Sequence, residues 1–237
     1  MRCRPAGGPR SPRPARGVRG YRGRVTAPLP YRHLLKREPT QARSRARVEA
    51  ILDAAAGLLA DGDREAVTVR DIAAGAGVPT GTLYQFFEDK PAVLQALAVR
   101  YVHRTPDVLG AALARPDRDW RTVLPAVVDG FAELLRREPA MRVLWLHSTL
   151  DAATVSLADA ADDQLARDLA RHLRQIAQAP DAEPETAPGW RVLISVVSSL
   201  LRGAFLLDPA GDEATLREAR RVATVYAGTL LGLVAQP

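Results

Sequence analysis

The chain has 237 residues, 47% of them apolar and 5% aromatic, with a formal net charge of +6; this length suits a small domain joined to a larger one, and the Ala- and Leu-rich composition favours packed helices over sheet. The single cysteine, Cys3, excludes an intrachain disulfide and a cysteine metal cluster, and suits a reducing, cytoplasmic setting. No apolar run reaches the ~20 residues of a membrane span: the nearest, Val192 to Leu207, holds three serines, Arg202 and Gly203 and reads as a buried helix, so no membrane association is expected.

The charge is unevenly spread. Residues 1–39 carry eleven Arg and Lys against one acid, Glu38, while the rest carries 22 bases and 26 acids. This Arg-, Pro- and Gly-rich stretch shows almost no apolar periodicity and is expected to be a disordered basic tail. It lacks the apolar core of a secretory signal. Two readings stay open for it: a basic arm that follows a phosphate backbone, or an extension dispensable to the fold.

Helical order is expected from Thr40, and residues 40–90 form the first folded unit. Val48, Ile51, Leu52, Ala55 and Leu59 recur at three- and four-residue steps, one face of a helix that Gly62 ends. The segment Val67 to Lys90, VTVRDIAAGAGVPTGTLYQFFEDK, is the most informative. Thr68 and Asp71 have capping-box spacing, with Val67 and Ile72 placed as a hydrophobic staple, and open a short helix to about Gly75. Gly77 can take positive φ at the turn, Val78 plugs the corner, and Pro79 presets φ for a second short helix, Thr80 to Phe86. A small residue at Ala73, a glycine four positions on and an apolar residue after it describe a helix-turn-helix. A further helix starts at Asp89, a candidate N-cap with Lys90 and Pro91 in its first turn.

The compact unit closes at about Arg104. Beyond it, prolines at 116, 139, 180, 184, 188 and 209 punctuate helices expected at 117–137, 140–150, 156–178, 189–207 and 212–234, with 179–189 an acidic loop. The 189–207 helix is apolar nearly all round, as suits burial on several sides. The last helix bears a stripe of Leu216, Ala219, Val222, Ala223, Tyr226, Thr229, Leu230 and Leu233, with Gly228 and Gly232 permitting close backbone approach. An enzyme finds no support: His33, His103, His147 and His172 have no metal-ligand spacing, there is no phosphate-binding loop or nucleophile elbow, and no cofactor or metal is expected.

Arg47 to Ala55, TVRDIA at Thr68–Ala73, AGV at Ala76–Val78, GTLYQFF at Gly81–Phe87 and Lys90, in that order and spacing, resemble the DNA-binding domain of TetR-family regulators. The resemblance covers roughly residues 44–97. It departs at Pro79, where the family often has Ser, in the connection before Val69, which lacks an aromatic residue, and in the long basic tail.

The resemblance implies an all-α chain: a three-helix DNA-binding domain with helix-turn-helix, then a helical ligand-binding and dimerisation domain over 91–237. It implies a ligand-responsive repressor that binds a palindromic double-stranded DNA operator as a homodimer, its second motif helix in the major groove. Gln85 would then contact base edges, adenine bidentately among the options, and Gly81 would let the backbone come close. Thr80 and Thr82 would meet phosphates or a thymine methyl, and Tyr84 a phosphate. Thr68, Arg70, Lys90, Arg43 and Arg47 would contact the DNA backbone. An effector cavity among the intermediate helices would draw on Trp120, Phe131, Met141, Trp145 and His147, since aromatic and soft side chains line pockets; the effector is an unidentified small molecule. An activator of the same fold, or a sequence-indifferent DNA-binding protein driven by the tail, are the alternatives.

Overall fold

The computed structural model describes residues 29–61, 65–114, 119–146 and 152–233, and among these the regular elements are all helical. A single 3-10 turn, Arg32–Leu34, precedes α1 (Ala42–Asp61), α2 (Val69–Gly75), α3 (Thr80–Phe86) and α4 (Lys90–Val102). The apolar face expected on α1 is the centre of this unit: Val48, Ile51, Leu52, Ala55 and Leu59 have no exposed surface. Ile72 and Ala73 of α2 and Leu83 and Phe86 of α3 close over it. Most of α4 joins the same core through Val93, Leu94, Leu97 and Tyr101, so by packing the first domain extends well past Lys90.

Two expectations need correction. Composition predicts a disordered tail to residue 39, but Leu29 to Pro39 is folded: Tyr31 is only 1% exposed, and Leu29, Leu34 and Leu35 pack beside it on the N-terminal core. Averaged composition hid this short apolar cluster behind the Arg, Pro and Gly that precede it. Residues 1–28, like Gly62, lie outside the described residues. The second correction is a helix the sequence did not announce, α5 (Thr105–Leu113). Nine residues are too few turns for a periodic stripe to stand out, and its buried side, Leu109 and Ala112, is only two residues wide.

The C-terminal domain adds α6 (Trp120–Arg137), α7 (Pro139–Leu146), α8 (Ala152–Ala177), α9 (Pro188–Leu207) and α10 (Glu213–Leu230). Their shared core holds Val123, Val127, Leu135, Leu169, Leu173, Trp190 and Phe205. The last helix ends earlier than expected because Gly232 takes φ +69°, with Leu233 N–H bonded to Gly228 O and Gly232 N–H to Thr229 O. This is a Schellman stop, so Gly232 terminates the helix instead of lining a close helix contact.

In the single chain α9 buries one face, not several. Trp190, Leu193, Ile194, Leu201, Ala204 and Phe205 point inward, while Val192 is 45% exposed and Val196 39%. By length and composition α9 is apolar enough to cross a membrane, yet it packs broadly on α10 and α8 and carries Arg191 and Arg202.

The short α7 joins the two domains. Ala140 and Leu144 sit in the N-terminal core, and Met141 packs against both cores. Just before it, Glu138 accepts from Arg104 at 2.5 Å and from the Tyr101 hydroxyl at 3.3 Å. Burial first, then the Glu138 carboxylate, push the Tyr101 phenol up to about 12. On the other side Arg142 donates to Pro209 O at 3.1 Å, in the α9–α10 turn.

Candidate nucleic-acid interface

The start of α2 is built as its spacing requires. The Thr68 hydroxyl accepts from Asp71 N–H at 3.2 Å, and Thr68 N–H donates to Asp71 Oδ2 at 3.1 Å, a reciprocal capping box. The hydrogen bonds from the Thr68 hydroxyl and amide hold the Asp71 carboxyl below the usual aspartate range. Val67 and Ile72 are both buried beside the cap, as a staple demands.

The end of α2 sets the angle to α3. Val78 N–H bonds Ala73 O and Gly77 N–H bonds Ala74 O, both at 3.0 Å, with Gly77 at φ +64°. This pair of bonds is a complete Schellman motif, which needs a residue free to enter the left-handed region. Pro79 follows at φ −59° and opens α3 without a side-chain cap, because the hydroxyl a serine would bring is missing. Its carbonyl takes Thr82 N–H at 2.8 Å.

The seven residues of α3 then divide cleanly. Leu83 and Phe86 are buried, whereas Gly81, Tyr84 and Gln85 are exposed, Tyr84 by 45%. Thr80 and Thr82 are half-buried at the margin. A methyl built on Gly81 would meet no atom within 4 Å, so this face is open. Arg70 is exposed on the first turn of α2, and Lys90, half-buried, reaches back to Glu65 O at 3.4 Å, which brings the start of α4 beside the start of α2. Arg43 and Arg47 lie one turn apart near the start of α1, the first exposed and the second half-buried. The nearby acids are engaged: Asp71 in its cap, Asp89 capping α4 through Ala92 N–H at 2.8 Å, and Glu88 with Lys36 at 3.3 Å. The surface is thus an open helix face flanked by cations and by acids already spoken for.

The described effector candidates lie in or against the C-terminal core. Trp120 is a 6% exposed core residue; Phe131, Met141 and Trp145 are half-buried against the C-terminal core, with the Arg202 guanidinium 5.2 Å above the Trp145 ring. His147 lies outside the described residues. An open groove of ≈ 940 Å³ runs between the start of α9 and α10, lined by Pro188, Gly189, Val222, Val225, Tyr226 and Leu230, and a smaller recess of ≈ 320 Å³ sits beside Asp163, Arg167 and Arg191. Neither is lined by the four aromatic and methionine candidates. Sequence reasoning passed over Tyr31 and Lys36, which brace this domain from outside the motif; the spacing Leu29, Tyr31, Leu34, Leu35 was the signal available.

Residues 51–97 match the family described as bacterial regulatory proteins, tetR family, and residues 118–228 match the tetracyclin repressor-like C-terminal domain. The chain is 32% identical over 151 residues to the HTH-type transcriptional repressor LfrR of Mycolicibacterium smegmatis, covering 63% of this chain and 72% of that protein. Among solved structures, a TetR-family transcriptional regulator from Streptomyces coelicolor is similar with TM-score 0.56 and 28% identity, over 79% of this chain and 99% of that one. SmeT, the repressor of the Stenotrophomonas maltophilia multidrug efflux pump SmeDEF, shares the fold with TM-score 0.55 and 22% identity, over 80% of this chain and 90% of its own.

Proposed function

The chain belongs to the TetR family of DNA-binding transcriptional regulators, and from that premise we propose that it is a homodimeric repressor whose α3 reads the major groove of a palindromic operator. The observation that carries this reading is the Schellman turn at Ala76–Val78, which anchors Leu83 and Phe86 inward and leaves Gly81, Tyr84 and Gln85 facing out. A major groove admits one helix and displays a distinct edge for each base pair. Gln85 is the residue able to pair with a base edge, and Gly81 lets the helix backbone approach. Thr80, Thr82 and Tyr84 hold phosphates at the groove margins, and Thr68, Arg70, Lys90, Arg43 and Arg47 fix the register along the backbone.

Dimerisation is supported by the free faces of α9 and α10, where Val192, Val196 and Val225 are 39–53% exposed, and by Leu233 just past the end of α10, 46% exposed. Two such helices from each protomer make a four-helix interface with two-fold symmetry, matching a two-fold operator. A small-molecule effector acts through the C-terminal helices, with Phe131, Met141 and Trp145 as the side chains that meet it. Met141 touches both cores and Glu138 grips the end of α4, so a ligand that favours a shifted α7 would move α4 and weaken DNA binding.

Footprinting the purified chain on the DNA flanking its own gene tests this: the expected result is a protected, near-palindromic site. Gln85→Ala should lose ~1–3 kcal/mol of preference at one base pair, while Lys90→Ala should weaken all sequences alike and flatten the salt dependence. A Gln85→Ala protein with unaltered selectivity removes the readout assignment.

A further inference from the structure

The segment Leu29–Pro39 has no part in the reading above, yet it is tied directly to α3. We propose that this strap positions the recognition helix for base readout, with Lys36 and Tyr31 as its positioning residues; the proposal rests on α3 being the helix that reads the groove.

A helix of seven residues does not hold itself in water, so its orientation comes from its attachments. The Schellman turn fixes the start of α3 and Leu83 and Phe86 fix its inner face. Its last carbonyl, Phe86 O, accepts the backbone N–H of Lys36 at 2.9 Å, filling one of the acceptors that a helix end leaves open. The strap is itself pinned at its other end. Tyr31 is buried and its hydroxyl donates to Glu49 of α1. The second Glu49 oxygen accepts from Arg100 of α4 at 3.2 Å, and Arg100 also donates to Asp53 at 2.7 Å. Between the two anchors the chain is stiffened by the 3-10 turn, with Leu34 N–H on Tyr31 O at 3.0 Å and Leu35 N–H on Arg32 O at 3.1 Å. The strap thus spans from the α1–α4 contact to the C-terminal end of α3, a second route besides the α3–α4 connection by which the pose of α4 reaches the recognition helix. Bonding to a base edge needs placement within about 0.5 Å, whereas phosphate attraction tolerates far more. Loosening the strap should therefore remove sequence preference before it removes affinity.

The test uses the full chain, a duplex of about 30 base pairs enriched by the wild-type chain from random DNA, and a shuffled duplex of equal composition. Lys36→Pro deletes the donated N–H and leaves Tyr31 in place; Lys36→Ala keeps that N–H and removes only the exposed ion pair with Glu88. The expected result for Lys36→Pro is a loss of about tenfold on the enriched duplex, the scale of one spoiled base contact, with the shuffled duplex unchanged. Lys36→Ala should stay within about twofold on both, since exposed ion pairs contribute little. In the wild-type chain, hydrogen exchange of the Lys36 amide should slow on binding the enriched duplex and not the shuffled one, a response that a strap merely completing the core would not give. This measurement decides alone if Lys36→Pro fails to fold. Equal losses on both duplexes, no loss on either, or an amide indifferent to the enriched duplex overturns the proposal. Gln85→Ala separates the two ideas: if it leaves the preference intact, the α3 reading falls; if it shifts the preference and Lys36→Pro does not, only the strap falls.

Discussion

Gly81→Ala separates how well the recognition helix folds from what it is for. Gly81 is the second residue of α3, it is exposed, and a Cβ placed there touches nothing within 4 Å. No clash opposes the methyl, and Gly81 is not among the positive-φ positions, so no backbone strain opposes it either. Glycine to alanine in a helix interior is worth about 0.8–1.0 kcal/mol; in the first turn of a two-turn helix we expect roughly half, ~0.5 kcal/mol in favour of folding. For a chain of this size that is a rise in Tm of ~1–2 °C. On DNA the sign reverses. The methyl stands where the helix backbone meets the duplex, and holding α3 away from a base edge should cost ~1–3 kcal/mol, roughly fivefold to 150-fold in Kd. Thermal unfolding and fluorescence anisotropy on the enriched duplex read the two effects separately. A variant that is stabilised and still binds at wild-type strength refutes the docking of α3 at this point; a destabilised one refutes the claim that the face is open.

Other perturbations follow from the same geometry. Gly77→Ala forces an L-residue into the left-handed region at φ +64° and should destabilise the N-terminal domain by about 1–2 kcal/mol, with Gly77→Asn losing less; equal stabilities of the three proteins by urea titration would contradict the turn. Because the Thr68 hydrogen bonds depress the Asp71 pKa, the cap contributes its full stability above the ordinary aspartate value of about 4 and loses it as pH falls through the lower folded value. Thr68→Val, followed by circular dichroism between neutral and acid pH, should accordingly show a shallower acid-induced loss of stability than wild type. Val225→Glu puts a carboxylate on the proposed two-fold face, where Val225 is 53% exposed in the single chain; burying that charge without a partner costs several kcal/mol, so sedimentation should find monomer. A dimer that survives at micromolar concentration would place the interface elsewhere.

The helix-turn-helix was legible almost residue by residue because its determinants are local. Thr68 and Asp71 are three residues apart, Gly77 serves its own φ, and Pro79 sets its own, so each device reports from within one turn of chain. The strap was not legible for the converse reason. Tyr31 bonds Glu49, 18 residues away, on the α1–α4 core, and its few apolar neighbours, Leu29, Leu34 and Leu35, are too short a signal in a basic, proline-rich stretch to announce that partner.

In the C-terminal half the same division holds. Apolar spacing and proline punctuation placed all five expected helices within about four residues of both observed ends, since burial of one face imposes its period on any helix, whatever it packs against. Which face packs where is a different matter. That α9 leaves Val192 and Val196 uncovered, that α7 joins the two cores, and that Trp120, Phe131, Met141 and Trp145 pack on the C-terminal core instead of lining the groove beside α10 all depend on pairings among helices far apart in the chain. Local conformation is written in the order of neighbouring residues, whereas the choice of distant partners emerges only when competing apolar surfaces are packed against one another in three dimensions.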